Sequence, residues 1–148
     1  MNFRLIANTT SYVLWVEAGF LLLPLAASVL YDEAWLPFFG TTVLCVLLGT
    51  ALHLVPVKKA QMHSRDGFMA VALGWIALSL TGALPYVFTG ALTDYVDAVF
   101  ETVSGLTTTG STVFPEVEHL PRSVLLWRSL TQWMGGMGVL VLFLALMP

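Results

Sequence analysis

The densest polar chemistry in this chain lies in residues 104–114, SGLTTTGSTVF, where four threonines and two serines occupy eleven positions. The surrounding sequence is strongly apolar: hydrophobic residues make up 57% of the chain and charged residues 10%. In an ordinary soluble domain charged residues are about a quarter of the total. The run offers hydroxyl groups and, around Gly110, backbone carbonyls, which are the oxygen ligands that a desolvated alkali-metal cation needs. Cation binding within a membrane is therefore the first candidate chemistry.

Four apolar runs must position this segment. They cover roughly residues 12–31, 35–57, 67–90 and 124–148. A membrane-spanning helix takes about 20 residues, so the first three runs are long enough to cross a bilayer. The first two predict a transmembrane helical hairpin over residues 1–57, and the other two flank the polar run. The predicted fold class is an all-α integral membrane protein.

The charged residues predict an orientation. Residues 58–66 carry Lys58, Lys59 and Arg65 and predict a basic cytoplasmic loop, because lysine and arginine in short loops accumulate on the cytoplasmic side. The acidic hairpin connection and most acids of residues 91–122 fall on the opposite side. We therefore expect a multi-pass protein of the cell membrane (the plasma or bacterial inner membrane) with a cytoplasmic N-terminus.

Between the third and fourth runs, residues 93–106 predict a short helix. Thr93 or Asp94 supplies an N-cap, and apolar residues recur at helical spacing as far as Gly105. Three turns enter a bilayer without crossing it, so the helix is predicted to be re-entrant. Irregular backbone at membrane depth is tolerated only where it is buried in protein or lines water, so residues 107–112 should line an aqueous path. The helix C-terminus, with about half a negative charge, favours a cation there.

Residues 107–112 are therefore interpreted as a selectivity filter whose carbonyl oxygens replace the water around K⁺. Consecutive carbonyls can face one axis only with unusual backbone angles, which Gly110 reaches without steric cost. The predicted ion-binding residues are Thr107, Thr108, Thr109, Gly110, Ser111 and Thr112.

Five charged residues have alternative interpretations. Glu101 is expected to bond backbone or threonine groups behind the filter, and its charge could also raise cation occupancy. Asp94 and Asp97 form either an extracellular cation funnel or an ordinary helix cap with a solvated neighbour. Glu17, in the first span, is expected to make a structural hydrogen bond. Arg128 is expected to extend to the interface, with pairing to an acid as the alternative.

Three segments resemble the first pore-loop repeat of the TrkH/KtrB superfamily of potassium transporters. They are VFETVSGLTTTGSTVF at 99–114, LWRSLTQWMGGMGVLVLFLALMP at 126–148, and SRDGF at 64–68. Residues 1–57 are similar to the extra hairpin of TrkH-type members. The resemblance implies a K⁺-conducting subunit with four helix, pore-loop, helix repeats, each donating one filter segment with a central glycine. The repeat would comprise a span at 67–90, a pore helix at 93–106, a filter at 107–112 and a span at 124–148.

The predicted filter segment departs from the two-glycine filter of ordinary potassium channels. Ser111 and Thr112 stand where ordinary potassium channels have a tyrosine and a second glycine. The outer ion sites are therefore expected to be less regular and the preference for K⁺ over Na⁺ weaker.

One repeat supplies only a quarter of a ring. In addition, the strongly apolar part of the last run, 133–148, is shorter than a bilayer core at about 1.5 Å per residue. The chain is interpreted as a fragment, or a truncated gene product, of a longer transporter whose other repeats complete the pore, with a homotetramer of short chains as the alternative. The resemblance also implies a cytosolic nucleotide-binding regulatory subunit and a homodimer. Beyond the lipid bilayer and the transported K⁺, no cofactor and no nucleic acid are expected.

Two other function classes remain as alternatives. An intramembrane hydrolase needs an activated nucleophile, for which Ser104, Ser111 and His119 offer only the residue types, and it leaves the threonines unexplained. A non-conducting scaffold could use the glycines at 135–138 as a packing face. The chain is predicted not to be an enzyme.

Overall fold

A computed structural model describes the backbone of residues 3–55 and 64–146 and, apart from positions 3, 5, 64, 65 and 139–146, their side chains. Most of the predicted basic loop at 58–66, including Lys58 and Lys59, lies outside these residues. Within the described ranges the fold contains helices and no strand. The helices are α1 (Phe3–Leu30), α2 (Leu36–His53), α3 (Ser64–Gly82), α4 (Leu84–Phe88), α5 (Tyr95–Leu106) and α6 (Arg122–Leu146).

In the part of the chain that the structure describes with its side chains, three stretches of helix are long and apolar enough to cross a membrane. These stretches are Ile6–Leu30, Leu36–His53 and Asp66–Phe88. Their outer surfaces expose large hydrophobic side chains, for example Leu47 at 62% and Phe68 at 59% exposure, as expected where lipid replaces water. The predicted all-helical membrane fold is confirmed.

The first two helices form a hairpin. α1 packs along α2 and also contacts α3 and α6. α2 begins at Leu36 with Pro37 in its first turn, where the missing amide hydrogen costs nothing. Thr41 and Thr42 donate their hydroxyls to carbonyls four residues earlier at 2.9 and 2.8 Å, so neither polar group is left unpaired in the bilayer.

The third apolar run is divided into two helices. α3 ends at Gly82, and α4 begins at Leu84 with Pro85 in its first turn. Proline is favoured at a helix start and has no amide hydrogen to continue the preceding helix, which explains the break. Gly90, with φ of 74°, then turns the chain towards α5.

The buried core lies where the hairpin, α4 and α6 meet. Its largest fully buried side chains are Trp127, Tyr86, Phe38 and Leu21. The indole nitrogen of Trp127 donates to the carbonyl of Gly82 at 2.9 Å, which ties α6 to the end of α3. The short helix α5 packs against this core through α3, α4 and α6.

Candidate functional site

The start of α5 is capped by Asp94. Its backbone is extended, with φ of −96° and ψ of 128°, and its carboxylate accepts a hydrogen bond from the amide of Val96 at 2.9 Å. This is the geometry of an N-cap and confirms the capping interpretation. The Tyr95 hydroxyl donates to the carbonyl of Leu80 at 2.8 Å, which fixes the same end to α3. Asp94 and Asp97 are both exposed, and their role as a cation funnel stays a prediction.

The end of α5 is closed by the loop that follows it. The amide of Thr107 donates to Val103 at 2.8 Å, and that of Thr108 donates to Gly105 at 2.9 Å. The carbonyl of Ser104 accepts from the amide of Thr109 at 2.9 Å. The last carbonyls of a helix lack partners within it, so these contacts satisfy the helix end and hold the first half of the loop.

Two loop residues adopt left-handed backbone angles. Thr108 has φ of 56° and Gly110 has φ of 79°. For a residue other than glycine this conformation costs about 1–2 kcal/mol, so Thr108 is held there by its surroundings. A Cβ added at Gly110 would meet no atom within 4 Å. The requirement for glycine at this position is therefore set by the backbone angle and not by crowding.

The loop presents an open face, which we define as the carbonyl groups of residues 107–110. Among the described residues, none of these four carbonyls accepts a hydrogen bond, and residues 107–112 are all exposed. The Thr107 hydroxyl is occupied by the Val103 carbonyl and the Thr109 hydroxyl, each at 2.8 Å. Four successive carbonyl oxygens are thus available to a ligand.

The second half of the loop is bonded to the protein instead. The Ser104 hydroxyl donates to the carbonyl of Ser111 at 2.6 Å. The Thr112 hydroxyl donates to Glu101 at 2.9 Å and accepts from the amide of Phe114 at 3.1 Å. Of the six predicted filter residues, the structure therefore distinguishes Ser111, whose carbonyl already has a partner, and Thr112, whose hydroxyl does, from the four residues of the open face.

Glu101 lies directly behind this half of the loop and is 1% exposed. One carboxylate oxygen accepts from Thr112 and from the amide of Val113 at 3.1 Å. The other accepts from Nε of Arg128 at 2.5 Å. Glu101 thus makes the backbone and threonine contacts expected for it, whereas its effect on ion occupancy stays a prediction. Arg128 pairs with this buried acid instead of extending to the interface.

Two glycines allow α6 to pass close to the end of α5. A Cβ at Gly135 would overlap the carbonyl of Leu106, and a Cβ at Gly105 would overlap the Thr131 hydroxyl. The close helix approach expected for the glycine cluster of α6 is therefore present at Gly135. This approach brings Arg128 within reach of Glu101.

The start of α6 is capped by a residue from the hairpin. Glu33 accepts from the amides of Arg122 at 2.7 Å and Ser123 at 2.9 Å, and also from the Ser123 hydroxyl. Burial alone would raise the pKa of Glu33, but these hydrogen bonds and the Arg122 charge outweigh it and hold the pKa below its ordinary value. The Arg122 guanidinium also lies 4.5 Å from the centre of the Tyr31 ring.

Sequence reasoning missed this cap. The one local signal is that Pro121, the residue before α6, has no side chain that could cap it, so the partner had to come from elsewhere.

Glu17, in α1, is a second buried acid and is also 1% exposed. It accepts hydrogen bonds from the Thr81 hydroxyl at 2.6 Å and from the Cys45 thiol at 3.8 Å. The structural hydrogen bond expected for Glu17 is confirmed. It joins α1 to α2 and α3, and among the described residues no hydrogen bond links it to the loop.

A transmembrane hairpin followed by a span, a half-helix, a polar loop and a further helix defines an all-helical integral membrane protein with a pore-loop repeat. Residues 36–148 match the sequence model of the TrkH family, whose description is cation transport protein. The chain belongs to this family. Because the family consists of transporters, the prediction that the chain is not an enzyme is confirmed.

Individual relatives agree with this assignment. The chain is 39% identical over 153 residues to the Trk system potassium uptake protein TrkH of Halomonas elongata, and 37% identical over 152 residues to that of Escherichia coli K12. Each match covers 100% of this chain and 31% of the relative. The crystal structure of the potassium transporter TrkH from Vibrio parahaemolyticus superposes with a TM-score of 0.91 at 35% identity, covering 98% of this chain and 32% of that one. The chain thus spans about a third of the length of these relatives.

Proposed function

We propose that this chain contributes one filter segment to a potassium-uptake transporter of the cell membrane. In this proposal the backbone carbonyls of Thr108, Thr109 and Gly110 coordinate K⁺, and Thr107 and Ser111 flank the site. Thr112 anchors the filter to Glu101. Residues 1–57 act as an N-terminal hairpin, residues 58–66 as a cytoplasmic loop, and residues 67–148 as the first pore-loop repeat.

The open face of residues 107–110 is the observation that carries the proposal. In hydrocarbon each unpaired carbonyl costs several kcal/mol, so four in succession require water or a cation as their partner. Closely spaced carbonyl oxygens are how potassium filters replace an ion's hydration shell. α5 ends at Leu106, immediately before this face, and its negative dipole end favours positive charge there.

The rest of the pore must come from equivalent segments. The relatives are potassium uptake proteins about three times as long as this chain, which supports further repeats in one longer chain. Four copies of this chain are the alternative. A cytosolic nucleotide-binding regulator, a homodimer, and an inner-membrane location with a cytoplasmic N-terminus complete the proposal; they come from the family resemblance and the distribution of charge.

The test compares two glycines that share a backbone conformation. Gly110 and Gly90 have φ of 79° and 74°, and a Cβ would meet nothing within 4 Å at either one. Alanine should therefore strain both positions equally, by about 1–2 kcal/mol. Only Gly110 belongs to the proposed filter, so only Gly110→Ala should reduce ⁸⁶Rb⁺ uptake and the preference for K⁺ over Na⁺.

Uptake should be measured in cells that lack their own potassium uptake, with the protein expressed from its native gene together with any sequence that follows Pro148, and in parallel with the 148 residues alone. Uptake by the longer product only would support the covalent repeats, and uptake by both would support the homotetramer. Equal effects of the two alanine variants, or no uptake from either form, would count against a filter at Gly110 and leave the scaffold interpretation.

A further inference from the structure

The loop has two anchors of different kinds. Its first half is held mainly by backbone amides that donate to the carbonyls of α5, and the Thr107 hydroxyl also donates to the carbonyl of Val103. Its second half is held by side chains. The Ser104 hydroxyl donates to the carbonyl of Ser111, and the Glu101 carboxylate accepts from the Thr112 hydroxyl and the Val113 amide. The position of the second half therefore depends on where the Glu101 carboxylate is held.

That carboxylate is held by the guanidinium of Arg128. Glu101 receives three donors, two from the loop and one from Arg128, and hydrogen bonds between charged groups are about twice as strong as neutral ones. Since the acid is 1% exposed and paired, its charge is compensated behind the loop and is not presented to the open face.

Arg128 is itself on a firmly placed element. α6 is capped by Glu33 at its first turn, and it contacts the end of α5 at Gly135. Thr131, one turn after Arg128, packs against Gly105. The pair therefore connects the position of α6 to the backbone at Thr112 and Val113.

We propose that Arg128 and Glu101 are positioning residues of the filter: Arg128 holds Glu101, Glu101 holds the backbone at Thr112 and Val113, and this geometry sets the preference for K⁺ over Na⁺. The inference rests on the proposed function. It assigns to Arg128 an effect on ion selection without contact between Arg128 and the ion.

The test measures the ratio of ⁸⁶Rb⁺ to ²²Na⁺ uptake by the protein expressed from its native gene. Glu101→Gln leaves an unpaired cation behind the loop, and Arg128→Gln leaves an unpaired anion. Each should lower the ratio about tenfold, which corresponds to about 1.4 kcal/mol of differential ion binding. The double variant removes both charges and lets two amides bond, so it should recover most of the ratio.

Two further variants separate position from charge. Glu101→Asp keeps the charge but shortens the side chain by one methylene, so it should also lower the ratio. Glu17→Gln is the matched control, because Glu17 is equally buried but has no hydrogen bond to the loop among the described residues. If Glu101 instead attracted the ion by its charge, Glu101→Asp would keep the ratio, Arg128→Gln would increase uptake, and the double variant would stay as poor as Glu101→Gln. That pattern would overturn the proposal.

A readout that does not require transport keeps the inference distinguishable from the proposed function. In a Cys45→Ala background, the labelling rate of Ser111→Cys by a membrane-impermeant thiol reagent reports the position of the loop. The rate should change with Glu101→Gln, Glu101→Asp or Arg128→Gln and return in the double charge variant. An unchanged rate in all of them would refute the positioning role even if Rb⁺ uptake is intact, whereas absent Rb⁺ uptake by the unmodified protein would refute the proposed function.

Discussion

Two buried carboxylates, Glu17 and Glu101, are equally hidden from solvent but are bonded differently. Each is 1% exposed. Glu101 accepts from a guanidinium, a backbone amide and a hydroxyl, whereas the donors to Glu17 among the described residues are the neutral Thr81 hydroxyl and the Cys45 thiol. Burial alone therefore does not distinguish an acid that joins spanning helices from one that positions a loop. The hydrogen-bond donors to each carboxylate make that distinction.

The contrast extends to the contacts around each acid. Behind the loop, α5 and α6 meet through an ion pair and through glycines that admit a backbone carbonyl. Between the hairpin and the repeat, where α1 packs against α3 and α6, the polar contacts include the neutral bonds of Glu17 and the exposed cap formed by Glu33. We therefore expect substitutions at the α5–α6 contact to have larger effects than substitutions at the hairpin contact.

The largest effect is expected for Glu101→Gln. It leaves the Arg128 guanidinium without its buried partner, which should lower the free energy of unfolding by about 3 kcal/mol. Thermal and denaturant unfolding in detergent would measure the loss. An equal loss of unfolding free energy in Glu17→Gln, measured alongside, would contradict the difference expected between the two acids.

Gly135→Ala should cause the next largest loss in the free energy of unfolding. Its Cβ would overlap the Leu106 carbonyl, so α6 must move away from α5 at a cost of about 2 kcal/mol. Gly19→Ala is the control, because Gly19 is also helical and a Cβ there meets nothing within 4 Å. Unfolding in detergent should show a loss for Gly135→Ala and none for Gly19→Ala, and similar values for the two would mean that the close approach contributes little.

Much of the site's backbone could be predicted from local sequence. The helix α5 covers Tyr95–Leu106, compared with 93–106 predicted, because the Asp94 cap and the apolar spacing are local signals. The apolar runs predicted the spans for the same reason, although Pro85 divides the third run at Ala83. The position of the polar loop after α5 followed from its unusual composition.

The contacts that hold the loop could not be predicted in this way. Glu33 caps a helix 89 positions later, and Arg128 bonds an acid 27 positions earlier. No periodicity relates such residues, since only the packing of α6 against α5 and the hairpin brings them together. The Ser104 bond to the carbonyl of Ser111 was likewise missed, because the sequence does not say which carbonyls turn towards the protein.

Glu33 should contribute a smaller, pH-dependent stabilisation. Because its folded pKa lies below its unfolded value, the stabilisation is present above about pH 5 and is lost as the pH falls through the folded pKa. Glu33→Gln should cost about 1 kcal/mol at neutral pH, the usual value of a charged helix cap. The difference from the unmodified protein should shrink in acid.

Unfolding of both proteins from pH 7 to pH 3 would measure this. Asp32→Asn, a change at the neighbouring acid, is the control and should leave the stability at neutral pH unaltered. A Glu33→Gln difference that stays constant across the range would contradict the role of the carboxylate charge.

Glu17→Gln should have the smallest effect, below about 1 kcal/mol, because the amide oxygen can still accept from Thr81. It should leave ion selection unchanged. A large loss of Rb⁺ uptake with normal stability would show instead that Glu17 takes part in transport, and would remove the contrast between the two acids.

The central claim is that the carbonyls of Thr108, Thr109 and Gly110 bind a monovalent cation. Anomalous diffraction from crystals grown with Tl⁺ in place of K⁺ tests it most directly, using the protein produced from its native gene. We predict a Tl⁺ peak at coordinating distance from these three carbonyl oxygens. A well-ordered loop with its carbonyls turned into the protein and no peak beside them would contradict the account.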